Sequence, residues 1–428
     1  MMFFMKYQIP KGLNDLLPTS AQPKEAWQNV GLWQALETRL REAARLFGYS
    51  EIRTPIFEQT ELFTRSAGDS SDIVFKEMYT FIDKGDRSMT LRPEGTACVM
   101  RSMIESGSLH ENPIQKLYYI GPFFRYDRPQ AGRYRQFHHF GIESFGVEGP
   151  ELDAEVIELF FFIFSSLGVK NTTLLINSIG TPESRSQYAK ALKAYLDPHY
   201  EALSQDSQKR LAANPLRILD SKEPQDIAIV AQAPKLSDFL DCASQSHFNR
   251  VLHLLDLLKI PYQIEPKLVR GLDYYNHTVF EFISNNLGAQ STVGAGGRYD
   301  GLSEKLGGNH VPSVGFGIGL ERLLQTLLAQ AIHLPASQPC DLLIIPMGAQ
   351  AFDTCISLAH DLRKKGIATV LYLKGGKINK ALAYSDKINP TYRIVIGEDE
   401  IRSSKVILKN LKSREEKEVS FDNILSSL

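Results

Sequence analysis

The chain has 428 residues, 43% hydrophobic and 23% charged, with a formal net charge of -1. That length holds two or three domains with their own cores, and the composition is globular, neither disordered nor fibrous. A near-neutral charge excludes a general attraction to polyanions, so any nucleic-acid contact has to come from a local patch.

The opening MMFFMK is too short for the apolar core of a signal peptide, which predicts no export signal. Residues 25–47 carry a helical period through Trp27, Val30, Trp33, Leu36, Leu40 and Leu46, and Gly48 stops it. Glu51 to Ile56 reads as a short strand, and residues 86–146 alternate strand-like runs with turns, predicting antiparallel sheet. Phe160 to Phe164 is the most apolar run. It falls far below a membrane span and predicts the buried face of a helix over about 151–167, with no membrane partner. Residues 171–262 are mostly helical and polar and read as an insertion. Ten of the 30 glycines then fall between Gly288 and Gly319, where backbone must turn tightly or approach a ligand.

Leu334 to Pro339 reads as a linker. After it, strand (342–346), helix (350–365), strand (367–373), helix (377–388) and strand (392–396) predict a small α/β domain, and two more strands end the chain. From Asp361 to Lys417 there are 14 Lys and Arg against 7 Asp and Glu. Such a face is either simply solvated or bound to RNA. The four cysteines, Cys98, Cys242, Cys340 and Cys355, lack CxxC spacing and read as reduced core residues of a cytoplasmic protein.

Gly315-Phe-Gly-Ile-Gly319 is not GxGxxG, Gly375-Gly-Lys377 is not a P-loop, and no HExxH exists. The strongest local signal runs from Tyr118 to Phe145, two strands joined by a loop with Pro129 and Gly132. Arg125, Arg128, Arg133 and Arg135 crowd into it, and guanidinium forks suit phosphate oxygens. On the return strand Phe137, His139, Gly141, Glu143 and Phe145 share a face, with Gly141 leaving a gap for a small ligand. Thr96 reads as a helix N-cap or, with Glu94, as a site for a cationic ammonium group. Arg322 lies in the first turn of a helix opening around Gly319, where the dipole disfavours a cation unless an anion binds.

With these residues in view, the chain resembles the histidyl-tRNA synthetase family of class II aminoacyl-tRNA synthetases over nearly its whole length. Arg53 to Glu58 resembles the first class motif, Phe124 to Glu143 the second, and Gly315 to Arg322 the third. Arg270-Gly-Leu-Asp-Tyr-Tyr275 and Gly296-Gly-Arg-Tyr-Asp-Gly-Leu302 resemble the two histidine motifs of this one family. The resemblance implies an α+β catalytic domain with antiparallel sheet (residues 1–170 and 263–333), a helical insertion (171–262) and a C-terminal α/β anticodon-binding domain (334–428). It implies ATP-dependent attachment of L-histidine to histidine tRNA through histidyl-adenylate, assisted by Mg2+, in a cytoplasmic homodimer joined at the first motif.

By the same resemblance Arg125 and Arg270 are catalytic, clamping the carboxylate and the α-phosphate. Arg322 holds the far phosphates and Phe137 stacks on adenine, with Arg125 and Asp127 completing the ATP site. Glu94, Gly95, Thr96, His139, Glu143, Tyr274 and Tyr275 bind histidine. Glu94 and Thr96 take its ammonium group, Glu143 accepts from its imidazole N–H, and Tyr275 donates to the other nitrogen. Arg128 and Arg133 contact tRNA. The metal ligands are unknown at this stage. Two positions depart from the family: His139 stands for glutamine and Asp127 for glutamate. A regulatory paralogue without catalysis is the other class of function. The basic C-terminal domain and the complete set of three arginines weigh against it. Arg270 and Tyr275 would face opposite sides of a regular strand, so Leu268 to Phe280 is expected to form an interrupted strand in which Gly271 to Asp273 bend or bulge and both side chains enter one pocket.

Overall fold

In this computed structural model, residues 7–18, 21, 23–68, 73–130, 132–284, 292–334 and 340–428 are described. The MMFFMK opening, most of the linker and Gly288 lie outside them. The chain divides into two compact units, the second comprising Leu17–Lys24, Asn29–Gly31 and Pro335–Leu428.

Among the described residues the first unit carries β1 (Ser50–Glu51), β2 (Phe57–Gln59), β3 (Tyr79–Ile82), β4 (Ser88–Leu91), β5 (Gln115–Phe124) and β6 (Gln136–Phe145). It continues with β7 (Thr172–Ser178), β8 (Tyr262–Ile264), β9 (Asn276–Ser284), β10 (Thr292–Arg298) and β11 (Ser313–Gly319). Eight of them form one sheet in the order β1-β5-β6-β11-β10-β9-β7-β8, and β2-β4-β3 form a small one. The inner pairs of the large sheet are antiparallel. Its edge pairs β1–β5 and β7–β8 are parallel.

The expected strand at 51–56 is split. Ile52 still donates its N–H to Tyr118, but Pro55 has no N–H to extend the ladder, and pairing resumes at Phe57 in the other sheet. The helix expected over 25–47 runs from Val30 to Leu46, after a turn at Ala26–Gln28, and Leu46 is exposed instead of packed. The apolar run does form a buried helix face on Pro150–Ser166. Phe160 stacks on Phe316 of β11 at 4.4 Å and Phe164 on Phe282 of β9 at 5.4 Å, fixing the helix to one face of the sheet. The stretch read as a helical insertion also contributes β7 to the large sheet and ends where β8 of that sheet begins. Its helices occupy Pro182–Leu257 only, because Thr172 to Ser178 is β-branched and apolar enough to pair with β9.

The second unit carries β12 (Leu342–Pro346), β13 (Thr369–Leu371), β14 (Tyr392–Ile396), β15 (Lys405–Asn410) and β16 (Glu416–Ser420). Their order is β13-β12-β14-β15-β16, parallel in the first three strands and antiparallel beyond. Helices Ala349–Lys364 and Ile378–Ile388 connect the parallel strands, as the alternation predicted. Cys98, Cys340 and Cys355 are buried, whereas Cys242 is exposed at the start of a helix.

Candidate active site

An open cavity of about 1180 Å³ lies over β5, β6, β11 and β10. The register decides which side chains meet there. Tyr119 of β5 pairs with Gly141 of β6, which pairs with Gly317 of β11. A Cβ on Gly141 or on Gly95 would stand 2.3 Å from the Tyr119 ring, so only glycine fits at either place. The gap expected for a ligand at Gly141 is thus filled by Tyr119. The alternation of one strand cannot report a ring that arrives from its neighbour.

Glu143 lies beneath the cavity, fully buried. Thr96 Oγ1 donates to its Oε1 at 2.7 Å, Tyr119 Oη donates to the same oxygen at 3.2 Å, and Tyr299 Oη donates to Oε2. All three donors line the cavity and Glu143 does not. Loss of water pushes the Glu143 carboxyl up to about 8, although these hydroxyls favour its charged form. Glu143 is thus held by three hydroxyls that themselves face the cavity.

Gly95, not Thr96, is the N-cap of the helix Thr96–Ser106. Glu94 supplies the cap, accepting from the N–H groups of Thr96 at 2.6 Å and Ala97 at 3.0 Å. Burial raises its pKa, opposed by those backbone donors and by Arg125. It is therefore a buried carboxylate at a helix N-terminus, where the dipole supports its charge, and it lines the cavity beside Gly95 and Thr96.

Two of the three cations are tethered by main-chain oxygens. Arg125 Nε donates to the Pro93 carbonyl at 2.9 Å, and its guanidinium lies 5.3 Å from the Phe137 ring. Arg322 Nε donates to the Gly132 carbonyl at 2.8 Å and Nη1 to that of Thr292 at 2.7 Å. Arg270 pairs with Glu281 of β9, whose other oxygen accepts from Thr292 Oγ1 at 3.1 Å. All three arginines line the cavity with Phe137 and His139. His139 is held near 3 by removal from water and then by Arg125 and Arg322, so its imidazole is neutral at pH 7. Asp127 accepts from Arg133 Nε at 2.7 Å and from the Arg128 N–H at 2.7 Å, closing the loop on itself. Arg133 reaches the cavity, but Arg128 is exposed and does not.

The interrupted strand expected at Leu268 to Phe280 is not one. Residues 265–275 form an irregular segment, and pairing begins at Asn276. Arg270, Tyr274 and Tyr275 do enter one cavity, as expected, and Tyr274 meets Tyr299 edge-on at 5.6 Å. Asp273 accepts from Asn214 Nδ2 at 3.3 Å.

Sequence reasoning missed several residues. Glu321, inside the third motif, accepts from His138 N–H and Nδ1, each at 3.0 Å, and lines the cavity. Glu77 and Tyr119 also line it. Arg298 is buried on Asp153 of the helix Pro150–Ser166 and donates to the carbonyls of Val147 and Gly149 at 3.1 Å. This places the neighbouring Tyr299. Arg298 and Tyr299 stood in a quoted motif, so that signal was available; Glu77 and Asp153 carried none.

A mostly antiparallel sheet with arginines, a tyrosine pair and a helix N-terminus converging on one cavity is the catalytic architecture of a class II aminoacyl-tRNA synthetase. The chain belongs to the histidyl-tRNA synthetase family: residues 12–323 match the family described as "Histidyl-tRNA synthetase", and residues 341–428 match "Anticodon binding domain". It is 53% identical to the histidine–tRNA ligase of Protochlamydia amoebophila over 424 residues, covering 99% of this chain and 100% of that one. It superposes on the apo histidyl-tRNA synthetase of S. aureus with a TM-score of 0.81 at 39% identity, covering 99% of each. A Bacillus halodurans protein described as an ATP phosphoribosyltransferase regulatory subunit/histidyl-tRNA synthetase shares the fold, with a TM-score of 0.64 at 20% identity, covering 93% of this chain and 99% of that one.

Proposed function

We infer that this chain attaches L-histidine to its tRNA in two ATP-dependent steps. A carboxylate oxygen of histidine attacks the α-phosphorus of ATP, the bond to the β-phosphate breaks, and pyrophosphate leaves. The terminal ribose of tRNA then attacks the carbonyl carbon of histidyl-adenylate and AMP leaves. Such chemistry depends on alignment and on cations placed where negative charge builds. The observation that carries this reading is the convergence of Arg125, Arg270 and Arg322 with Tyr274 and Tyr275 on one cavity.

In this reading Arg125 and Arg270 take the carboxylate and α-phosphate, Arg322 the outer phosphates, and Phe137 the adenine face. Asp127 fixes the loop over the nucleotide through Arg133. Glu94, Gly95 and Thr96 face the ammonium group. Tyr274, Tyr275 and neutral His139 surround the imidazole, and Glu143 orients the hydroxyls around it. Among the described residues no three acidic, histidine or cysteine side chains converge as metal ligands. That fits Mg2+ arriving on the nucleotide phosphates, where it would neutralise charge, more than a cage built by the protein.

In the same reading Arg128 and Arg133, on the loop between β5 and β6, contact tRNA phosphates and the C-terminal unit binds the anticodon. The catalytic domain is then residues 1–170 and 263–333 together with β7, the helical insertion narrows from 171–262 to Pro182–Leu257, and 334–428 is the anticodon-binding domain. A homodimer is supported by apolar side chains left exposed around the small sheet, namely Ile56, Phe57, Phe81 and Ile82. No described helix is long and apolar enough to cross a membrane. Four free cysteines suit a reducing cytoplasm. The regulatory alternative is the weaker one, because a sensor of histidine has no need of three arginines in the same cavity. Histidine-dependent exchange of labelled pyrophosphate into ATP tests the assignment; no exchange with purified protein, histidine and magnesium would overturn it.

A further inference from the structure

The segment that carries Arg270, Tyr274 and Tyr275 has no ladder to hold it, because β9 begins only at Asn276. Its carbonyls still need donors where water is excluded. Asn177 of β7 donates to the Pro266 and Leu268 carbonyls, and around Tyr274 one side chain supplies the donors. Arg185, on the helix Pro182–Leu196, donates from Nη1 to the Tyr275 carbonyl at 2.8 Å and from Nη2 to the Asp273 carbonyl at 3.3 Å. These two carbonyls bracket Tyr274, so a single guanidinium sets the backbone on both sides of it.

The same helical stretch grips the segment twice more. Asn214 Nδ2 donates to Asp273 Oδ1 at 3.3 Å. Arg217 crosses Gly271 so closely that a Cβ there would lie 2.8 Å from its Nη1. A second open cavity, of about 1110 Å³, is lined by Arg185, Arg217, Asp273 and Lys305. Arg270 and Leu272 line both cavities. The segment is therefore a partition with space on each side, and polar contacts from the helical stretch oppose its displacement.

We propose that Arg185 is a positioning residue for the reaction, holding Tyr274 and Tyr275 in the geometry that selects the amino acid. This rests on the reading above that those tyrosines surround histidine. Arg185 touches no substrate in this arrangement; it acts through the two carbonyls. Its planar fork reaches both at once, which a lysine ammonium on a flexible stem does less well.

The test uses the full chain and pyrophosphate exchange, with KM measured separately for histidine and for ATP and melting followed in parallel. Arg185→Ala is expected to raise KM for histidine on the order of tenfold to a hundredfold, as a misplacement of about 1 Å would. KM for ATP stays within about twofold, because Arg270, which faces the phosphates, keeps its own pair with Glu281 of β9, and loss of folded enzyme alone moves neither constant. Arg185→Lys recovers part of the loss. Leu192→Ala, a fully buried position on the same helix, lowers the melting temperature without the histidine-selective change. Arg185→Ala with an unchanged KM for histidine would overturn the proposal. So would a parallel rise of both constants, or a histidine-selective rise in Leu192→Ala. Absence of exchange in the unaltered protein is a separate result: it removes the assignment of the site, and this inference with it.

Discussion

The cavity wall formed by β5, β6, β10 and β11 takes its geometry from a backbone ladder, whereas the wall formed by Glu94–Thr96 and Arg270–Tyr275 takes its geometry from side chains. On the sheet wall, residue pairs such as Tyr119 with Gly141 and Glu143 with Gly315 are set by register, and a one-residue slip would reverse every face. On the other wall, Glu94 caps a helix and Arg185 holds two carbonyls of an irregular segment. The sheet wall resists displacement as a whole. The irregular wall can be loosened at single residues, and it carries Arg270, Tyr274 and Tyr275 of the cavity lining.

The largest effect is expected where the irregular wall presents its cation. Arg270→Ala should slow histidyl-adenylate formation on the order of a thousandfold in single-turnover measurements, with circular dichroism unchanged. Near-normal turnover would remove Arg270 from the chemistry. Next comes the anchor of the sheet wall. Asp153→Ala leaves the Arg298 cation buried without its main partner, which should cost about 3 kcal/mol in urea unfolding. An unchanged midpoint would show that Asp300 and the Val147 and Gly149 carbonyls suffice.

A smaller change joins the two walls. Tyr299→Phe removes one donor to Glu143 and should raise KM for histidine about tenfold while leaving KM for ATP alone. Equal effects on both substrates would argue that Tyr299 supports only packing.

The gentlest test uses pH, because two residues of β6 are shifted in opposite directions. Glu143 is raised from about 4.5 to about 8, so its contribution to stability is complete below about 4.5 and is lost as pH rises through about 8. His139 is lowered from about 6.5 to about 3, so the unfolded chain binds its proton first and stability is lost as pH falls from about 6.5 towards about 3. Glu143→Gln should flatten the urea midpoint above about pH 4.5, and His139→Gln should flatten it below about 6.5. A wild-type profile retained by either variant would mean that its residue is not the one titrating.

Much of the sheet wall was legible before the fold was seen. The apolar run at Phe160, the paired strands around Arg125 to Gln136 and the helix after Gly319 each follow from local periodicity and turn chemistry. The irregular wall was legible only as a motif. Parity correctly required that Arg270 and Tyr275 leave regular strand geometry to share a cavity, yet it implied a bulge where the chain forms an unpaired segment. Glu143 was placed on the right face, but the tyrosines that bond to it come from β5 and from the end of β10, which the alternation of one strand does not report. Asp127, expected in the ATP site, lines the cavity, but its ties to Arg133 and to the Arg128 N–H carried no sequence signal.

By itself the sequence determined the family, the order of elements and the chemical types gathered in the site, because these rest on motifs and on periods of two and 3.6 residues. Tertiary structure decided which groups line the cavity and which stand behind it. Tyr119 over Gly141, three hydroxyls on Glu143, Asp153 beneath Arg298 and Arg185 behind Tyr275 all join residues more than 20 positions apart. Local propensity carries no term for such contacts; they are fixed by strand register and by the need of buried polar groups for partners.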